Sequence, residues 1–144
     1  MHFLAWFFAW IDWWKKFSNH PENFRYRAHD KDELAHYADA CYDIEYKYPW
    51  GFDELEGVAS RTDYDLKKHA ENSGTKLSYF DQQKQDTKTG KNGWRYTPYV
   101  IEPAAGATRG LLVYLLDAYH EETVPDADGI ESSRTVMKLH PRLA

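Results

Sequence analysis

The chain has 144 residues, enough for one domain with its own hydrophobic core. A net charge of −5 excludes a free-standing nucleic-acid binder held by phosphate contacts over its whole surface, so any such contact is local. With 42% hydrophobic and 28% charged residues the composition is that of an ordinary globular protein, and Cys41, the single cysteine, excludes an intrachain disulfide or a thiolate zinc cluster and fits a reducing compartment.

The apolar run Phe3 to Ile11 is closed by Asp12, Lys15 and Lys16, well short of the roughly 20 residues that span a bilayer, and it lacks the basic lead and cleavage site of a signal peptide. An interfacial helix stays open. Residues 3–17 are predicted as a helix, with Phe3, Phe7, Trp10, Trp14 and Phe17 at helical spacing and Trp6 and Trp13 widening the stripe. Ser18 to Pro21 stop it, and 23–27 reads as extended. Asp30 with Glu33 three residues later has the form of a capping box and predicts a second helix carrying Leu34, Tyr37, Ala38 and Cys41 on one face.

Residues 43–48 alternate strictly and predict a strand with one wet face, Asp43, Glu45 and Lys47. Pro49, Trp50 and Gly51 make a turn into a second strand over 52–59, whose polar side gathers Glu54 and Glu56 beside Gly57 and Ala59. A solvated face and a binding site are both open readings. In a site, Glu54, Glu56 and Arg61 would hold a zwitterion, the carboxylates taking an ammonium and the guanidinium a carboxylate or phosphate. Residues 70–95 carry little apolar pattern apart from Leu77, Tyr79 and Phe80, and 82–93 reads as a long hairpin connection or a mobile insertion.

The stretch 96–119 begins as a strand interrupted at Pro103, so that Glu102 stands at the strand end. Ala104, Ala105, Gly106 and Ala107 are small enough for a ligand to approach the backbone. From Thr108, a candidate N-cap, a helix is predicted that buries Leu111, Leu115 and Tyr119 together with Leu112 and Leu116. Arg109 then lies in the first turn, where the macrodipole disfavours a cation by about 0.3–1 kcal/mol unless an anion is bound nearby. A solvated arginine is the other reading. Residues 125–133 follow as a loop and 134–139 as a final strand. No metal site is expected: His120-Glu121-Glu122 lacks the second histidine of a zincin, Asp126 to Gly129 lacks the later ligands of a calcium loop, and His29 with His36 does not share a helical face.

Two of these stretches carry a resemblance. Residues 48–66, YPWGFDELEGVASRTDYDL, and EPAAGATRGLL at 102–112 within 96–119 resemble the glycyl-tRNA synthetase family, the second as motif 3 of the class II aminoacyl-tRNA synthetases. The resemblance implies an α+β fold, an antiparallel sheet of 43–48, 52–59, 77–81 and 94–102 flanked by helices, as part of a class II catalytic core. It implies ATP-dependent activation of glycine to glycyl-adenylate and transfer to tRNA(Gly), with Mg²⁺, in a cytoplasmic homodimer. Arg109 and Glu102 take the catalytic roles. Glu54, Leu55, Gly106, Ala107, Thr108 and Arg109 resemble ATP contacts, and Arg61, Glu102, Pro103, Ala104, Ala105 and Gly106 the glycine pocket, to which charge and placement add Glu56. Ala104 stands where many family members have serine. Residues 134–144 resemble the run toward an anticodon-binding domain, whereas motifs 1 and 2 have no counterpart. Residues 1–144 are therefore expected to be a partial catalytic domain that does not aminoacylate alone; a catalytically inactive synthetase-like binding module and a pure scaffold are the alternatives.

Overall fold

The computed structural model describes residues 3–87 and 89–143. In chain order its elements are helix α1 (Phe3–Lys16), a 3-10 turn (Pro21–Asn23), strands β1 (Phe24–Ala28), β2 (Ala40–Tyr48) and β3 (Gly51–Ser60), and helix α2 (Tyr64–Ser73). Strands β4 (Tyr79–Gln85), β5 (Asn92–Tyr96) and β6 (Ile101–Ala105), helix α3 (Ala107–Ala118), and strands β7 (Tyr119–Pro125) and β8 (Glu131–Met137) follow. The class is α+β, as expected. Among the described residues no helix is long and apolar enough to cross a membrane.

The elements fall into two compact units. The first comprises Met1–Arg27, Tyr42–Gly57 and Pro103–Ala144. Helix α1 forms on the predicted spacing and buries Phe7, Ile11 and Trp14, while Leu4, Trp6, Phe8 and Trp13 stay exposed. Phe7 packs against Tyr42 and Tyr26, and Trp14 lies between Phe24 and Tyr114. The sheet order is β1-β2-β3-β6. Only Pro49 and Trp50 separate β2 from β3, which makes the pair an antiparallel hairpin, and Gly51 supplies the left-handed turn at φ +117°.

The predicted wet face of β2 is not wet at two of its three positions: Asp43 and Glu45 are each 7% exposed, and only Lys47 faces solvent. Strand β1, expected merely as extended, supplies the reason. Its Arg25 pairs with Glu45 and its Arg27 with Asp43 at 3.8 Å, so the carboxylates are buried with partners.

Strand β6 runs through Pro103 instead of ending there. It is an edge strand, where a missing N–H costs no ladder bond. Gly106, not Thr108, is the N-cap of α3. The helix buries Gly110, Val113, Asp117 and Ala118, whereas Leu111, Leu112 and Leu115, expected inside, are exposed. Its inward side is set by Trp14, whose ring would meet a Cβ on Gly110 at 3.2 Å; only a side without bulk fits there. Tyr119 ends the helix and begins β7, which was not expected. β7 pairs with β8 from Tyr119↔Met137 to Pro125↔Glu131, and the predicted 125–133 loop contracts to a turn in which Asp126 accepts the N–H groups of Asp128 and Ile130.

The second unit comprises Ala28–Cys41 and Val58–Glu102. The helix predicted after Asp30 does not form. The Asp30 N–H does reach Glu33 Oε2 at 3.0 Å, as in a capping box, but the segment is tied at both ends by His29 N–H to the Cys41 carbonyl and Asp39 N–H to the Ser60 carbonyl, each at 3.0 Å. Its backbone donors are used outside a helix. Helix α2, unforeseen because it lacks an apolar stripe, is a polar helix with Lys67–Asp63 and Lys68–Glu71 pairs and a left-handed Gly74 at its end. Strands β4 and β5 form a separate two-stranded hairpin with Tyr79 opposite Tyr96, so the 77–81 and 94–102 segments do not extend the main sheet as one continuous pair.

Candidate functional site

In the second unit the organising group is Arg61. Its backbone is bracketed by Arg61 N–H to the Val100 carbonyl at 2.9 Å and Val100 N–H to the Thr62 carbonyl at 2.8 Å, which holds it beside the segment leading into β6. Thr62 takes a left-handed φ of 55°, a conformation that a non-glycine residue keeps only when its surroundings impose it. The Arg61 guanidinium donates Nε to Asp65 Oδ2 at 2.6 Å and Nη2 to Asp65 Oδ1 at 3.0 Å, a parallel fork. Nη1 lies 2.5 Å from Glu102 Oε2, and Cζ stands 4.0 Å over the Tyr37 ring. Bonding to Asp65 raises the guanidinium pKa further, and the same bond lowers that of Asp65. Both shifts favour the charged forms of Arg61 and Asp65.

Two carboxylates around one guanidinium leave a local charge of minus one. Glu102, whose side chain is 43% exposed, presents that charge to solvent. Such an arrangement accepts an ammonium. It does not favour a second anion on Arg61, because the donors that would grip a carboxylate are already committed to Asp65 and Glu102.

In the first unit, Pro103, Ala104, Ala105, Gly106, Ala107, Thr108 and Arg109 are all exposed where β6 hands over to α3. Arg109 Nη1 donates to the Glu54 carbonyl oxygen at 2.5 Å, fixing the first turn of α3 to β3. The Glu54 carboxylate is exposed and lies beside Gly57, whose ideal Cβ would come 3.4 Å from its Oε1. The first turn of α3 has no side-chain cap and carries Arg109, a combination of helix N-terminus and guanidinium that suits an anion.

Two expected site residues stand elsewhere. Leu55 is 2% exposed and belongs to the core, so its side chain cannot line a ligand. Glu56 does not share the open side of β3 with Glu54: it is 3% exposed and takes the Trp14 indole N–H on Oε2 at 2.6 Å. Sequence reasoning missed Asp65 and Tyr37, the residues that hold Arg61. Their signal was present for Asp65, four residues after Arg61 at the start of a helix, but that helix was not foreseen.

No family model matches the chain. Its relatives are aminoacyl-tRNA ligases. More narrowly, the chain is homologous to a segment of the glycine–tRNA ligases: it is 50% identical over 148 residues to that of Nocardia farcinica, which covers 96% of this chain and 30% of the relative. The enzyme of Mycobacterium bovis is 49% identical with the same coverage, and that of Geobacillus thermodenitrificans 46% identical over 143 residues, 94% of this chain and 28% of the relative. The resemblance read from 48–66 and 96–119 is thus borne out, and the chain spans about 30% of the length of these relatives.

Proposed function

We propose that the chain supplies the motif 3 part of a glycine-activating site on a class II aminoacyl-tRNA synthetase core. The observation that carries the reading is that the two resembling stretches, distant in sequence, are joined twice: Arg109 bonds the Glu54 carbonyl, and Arg61 pairs with Glu102.

In the reaction, a carboxylate oxygen of glycine attacks the α-phosphorus of ATP, the bond to the bridging oxygen breaks, and pyrophosphate leaves. The acyl group then passes from the adenylate to a hydroxyl of tRNA(Gly), releasing AMP. Glu102, held by Arg61, receives the glycine ammonium, and the small residues Ala104, Ala105 and Gly106 leave room for a substrate with no side chain while larger ones collide. Arg109, at the N-terminus of α3 with Gly106, Ala107 and Thr108, meets the ATP phosphates and offsets the charge that grows on their oxygens. Glu54 would offer oxygen atoms of the kind Mg²⁺ takes, and the ion, arriving with ATP, would supply positive charge to offset that of the phosphates. Arg61 and Asp65 serve as positioning residues in this scheme. A cytoplasmic homodimer is the assembly in which the reading places the site.

The test is glycine-dependent exchange of pyrophosphate into ATP. The chain alone is expected to give none, and exchange is expected on mixing it with a separately produced segment of a relative that carries motifs 1 and 2. Exchange by the chain alone, or by the mixture undiminished in Arg109→Ala, contradicts the proposal.

A further inference from the structure

Asparagine followed by glycine is a chemically labile pair, and the chain holds it once, at Asn92-Gly93, where β5 begins. The backbone nitrogen of the following residue can attack the asparagine side-chain amide, and a side chain on that residue obstructs the approach; glycine has none. The other three asparagines stand differently. Asn19 and Asn72 give their amide N–H groups to the Lys138 and Lys68 carbonyls at 2.7 and 2.8 Å, and Asn23 precedes the buried ring of Phe24.

The fold opens this site and also keeps its glycine in place. Asn92 is exposed. The ladder pairs Gln85 with Asn92 and Asp81 with Trp94, so Gln82, Gln83 and Lys84 of β4 face Gly93 alone, and such an irregular stretch imposes fewer ladder bonds on the pair than a regular strand does. Gly93 takes φ +100°, where any side chain is strained, and a Cβ there would come 2.4 Å from the Phe80 ring. Phe80 is covered in turn by Arg95, whose Cζ lies 5.1 Å over the ring. A side chain that would slow the attack therefore collides with the packing of the hairpin itself. The comparable acidic pair, Asp128-Gly129, is closed by another route: its Gly129 N–H donates to the Asp126 carbonyl at 3.1 Å, which engages the nitrogen that would attack.

We propose that Asn92 is a site of spontaneous deamidation, with water as the co-reactant. The Gly93 nitrogen loses its proton and attacks Asn92 Cγ; the bond from Cγ to the amide nitrogen breaks, and that nitrogen takes up a proton and leaves as ammonia. A cyclic imide remains. Water then adds to one of its two carbonyl carbons and opens the ring, giving aspartate or isoaspartate. Either product carries a new carboxylate, which lowers the sequence charge between Lys76 and Tyr96 from +3, five basic residues against Asp81 and Asp86, to +2. Isoaspartate also inserts a methylene into the backbone at the Gln85–Asn92 pair, so the modified hairpin loses its register at the turn end. The proposal does not depend on the glycine site, and neither stands or falls with the other.

The full chain, shown to be folded by circular dichroism, is incubated at neutral and at mildly alkaline pH beside a peptide of residues 90–96, and both are mapped by mass spectrometry with fragmentation that separates aspartate from isoaspartate. Conversion is expected at Asn92 ahead of Asn19, Asn23 and Asn72, as a mixture of the two products. It is expected to be faster at the higher pH, because the attacking nitrogen must lose its proton, and to be lost in Asn92→Gln, where the ring to be closed is larger. Asn92 left intact in the folded chain over an incubation that converts the peptide, prior conversion of another asparagine, or aspartate without isoaspartate, the product of direct hydrolysis, overturns the proposal.

Discussion

Trp14 gives its indole N–H to the Glu56 carboxylate at 2.6 Å, and Glu56 is 3% exposed. Burial pushes this carboxyl above its ordinary value of 4.5, with the Trp14 bond acting in the opposite direction. The folded chain therefore binds the proton more tightly than the unfolded chain. The resulting stabilisation is complete below 4.5 and is lost as pH rises through the raised folded value. Urea midpoints measured from about pH 4 to 8 should fall across that window in the parent and lose this component in Glu56→Gln. Trp14→Phe removes the indole donor and should cost about 2 kcal/mol at neutral pH, with a steeper loss on raising the pH.

Asp117 is another buried carboxylate, 4% exposed, with a different solution. It accepts the Ser18 hydroxyl, the Asn19 N–H at 2.7 Å and the His20 N–H at 3.2 Å, so that α3 holds the chain as it leaves α1. Asn19 Nδ2 reaches on to the Lys138 carbonyl at 2.7 Å. Asp117→Ala removes the acceptor that these part-buried bonds share and should destabilise by about 1–2 kcal/mol in urea unfolding, whereas Asp117→Asn, which keeps one oxygen, should cost less.

Ala104 is exposed on β6 beside the residues proposed for glycine. Ala104→Ser adds a hydroxyl to a site that the account says lacks one. Calorimetry with a non-hydrolysable glycyl-adenylate analogue should show binding about fivefold tighter, the effect of one hydrogen bond of about 1 kcal/mol. An unchanged affinity would place Ala104 away from the ligand.

Strong periodicity made much of the fold legible. α1 and the β2–β3 hairpin were readable because aromatic residues recur at helical spacing in one and alternate in the other, with Pro49-Trp50-Gly51 between the strands. What periodicity cannot show is which apolar face wins. α3 carries leucines on one side, yet its inward side is Gly110, Val113 and Asp117, because Trp14 needs the room at Gly110 and Asp117 caps a distant loop. α2 and β7 were missed for another reason: the first is held by charged pairs without an apolar stripe, and the second starts at the last helical residue with no turn to mark it. At the site, Arg61, Glu102, Glu54 and Arg109 were legible as residues through the resemblance, but their partners were not. Asp65 and Tyr37 hold Arg61 through tertiary geometry, and Glu56 left the open face for a tryptophan 42 positions away.

The most direct test of the central claim is calorimetric titration of the folded chain with the glycyl-adenylate analogue, run beside Arg109→Ala. The guanidinium that bonds the Glu54 carbonyl at 2.5 Å is exposed and ready for phosphate, so the account predicts saturable binding that Arg109→Ala abolishes while leaving the unfolding midpoint within about 0.5 kcal/mol of the parent. Absence of binding by a chain shown to be folded, or equal binding by Arg109→Ala, would contradict it.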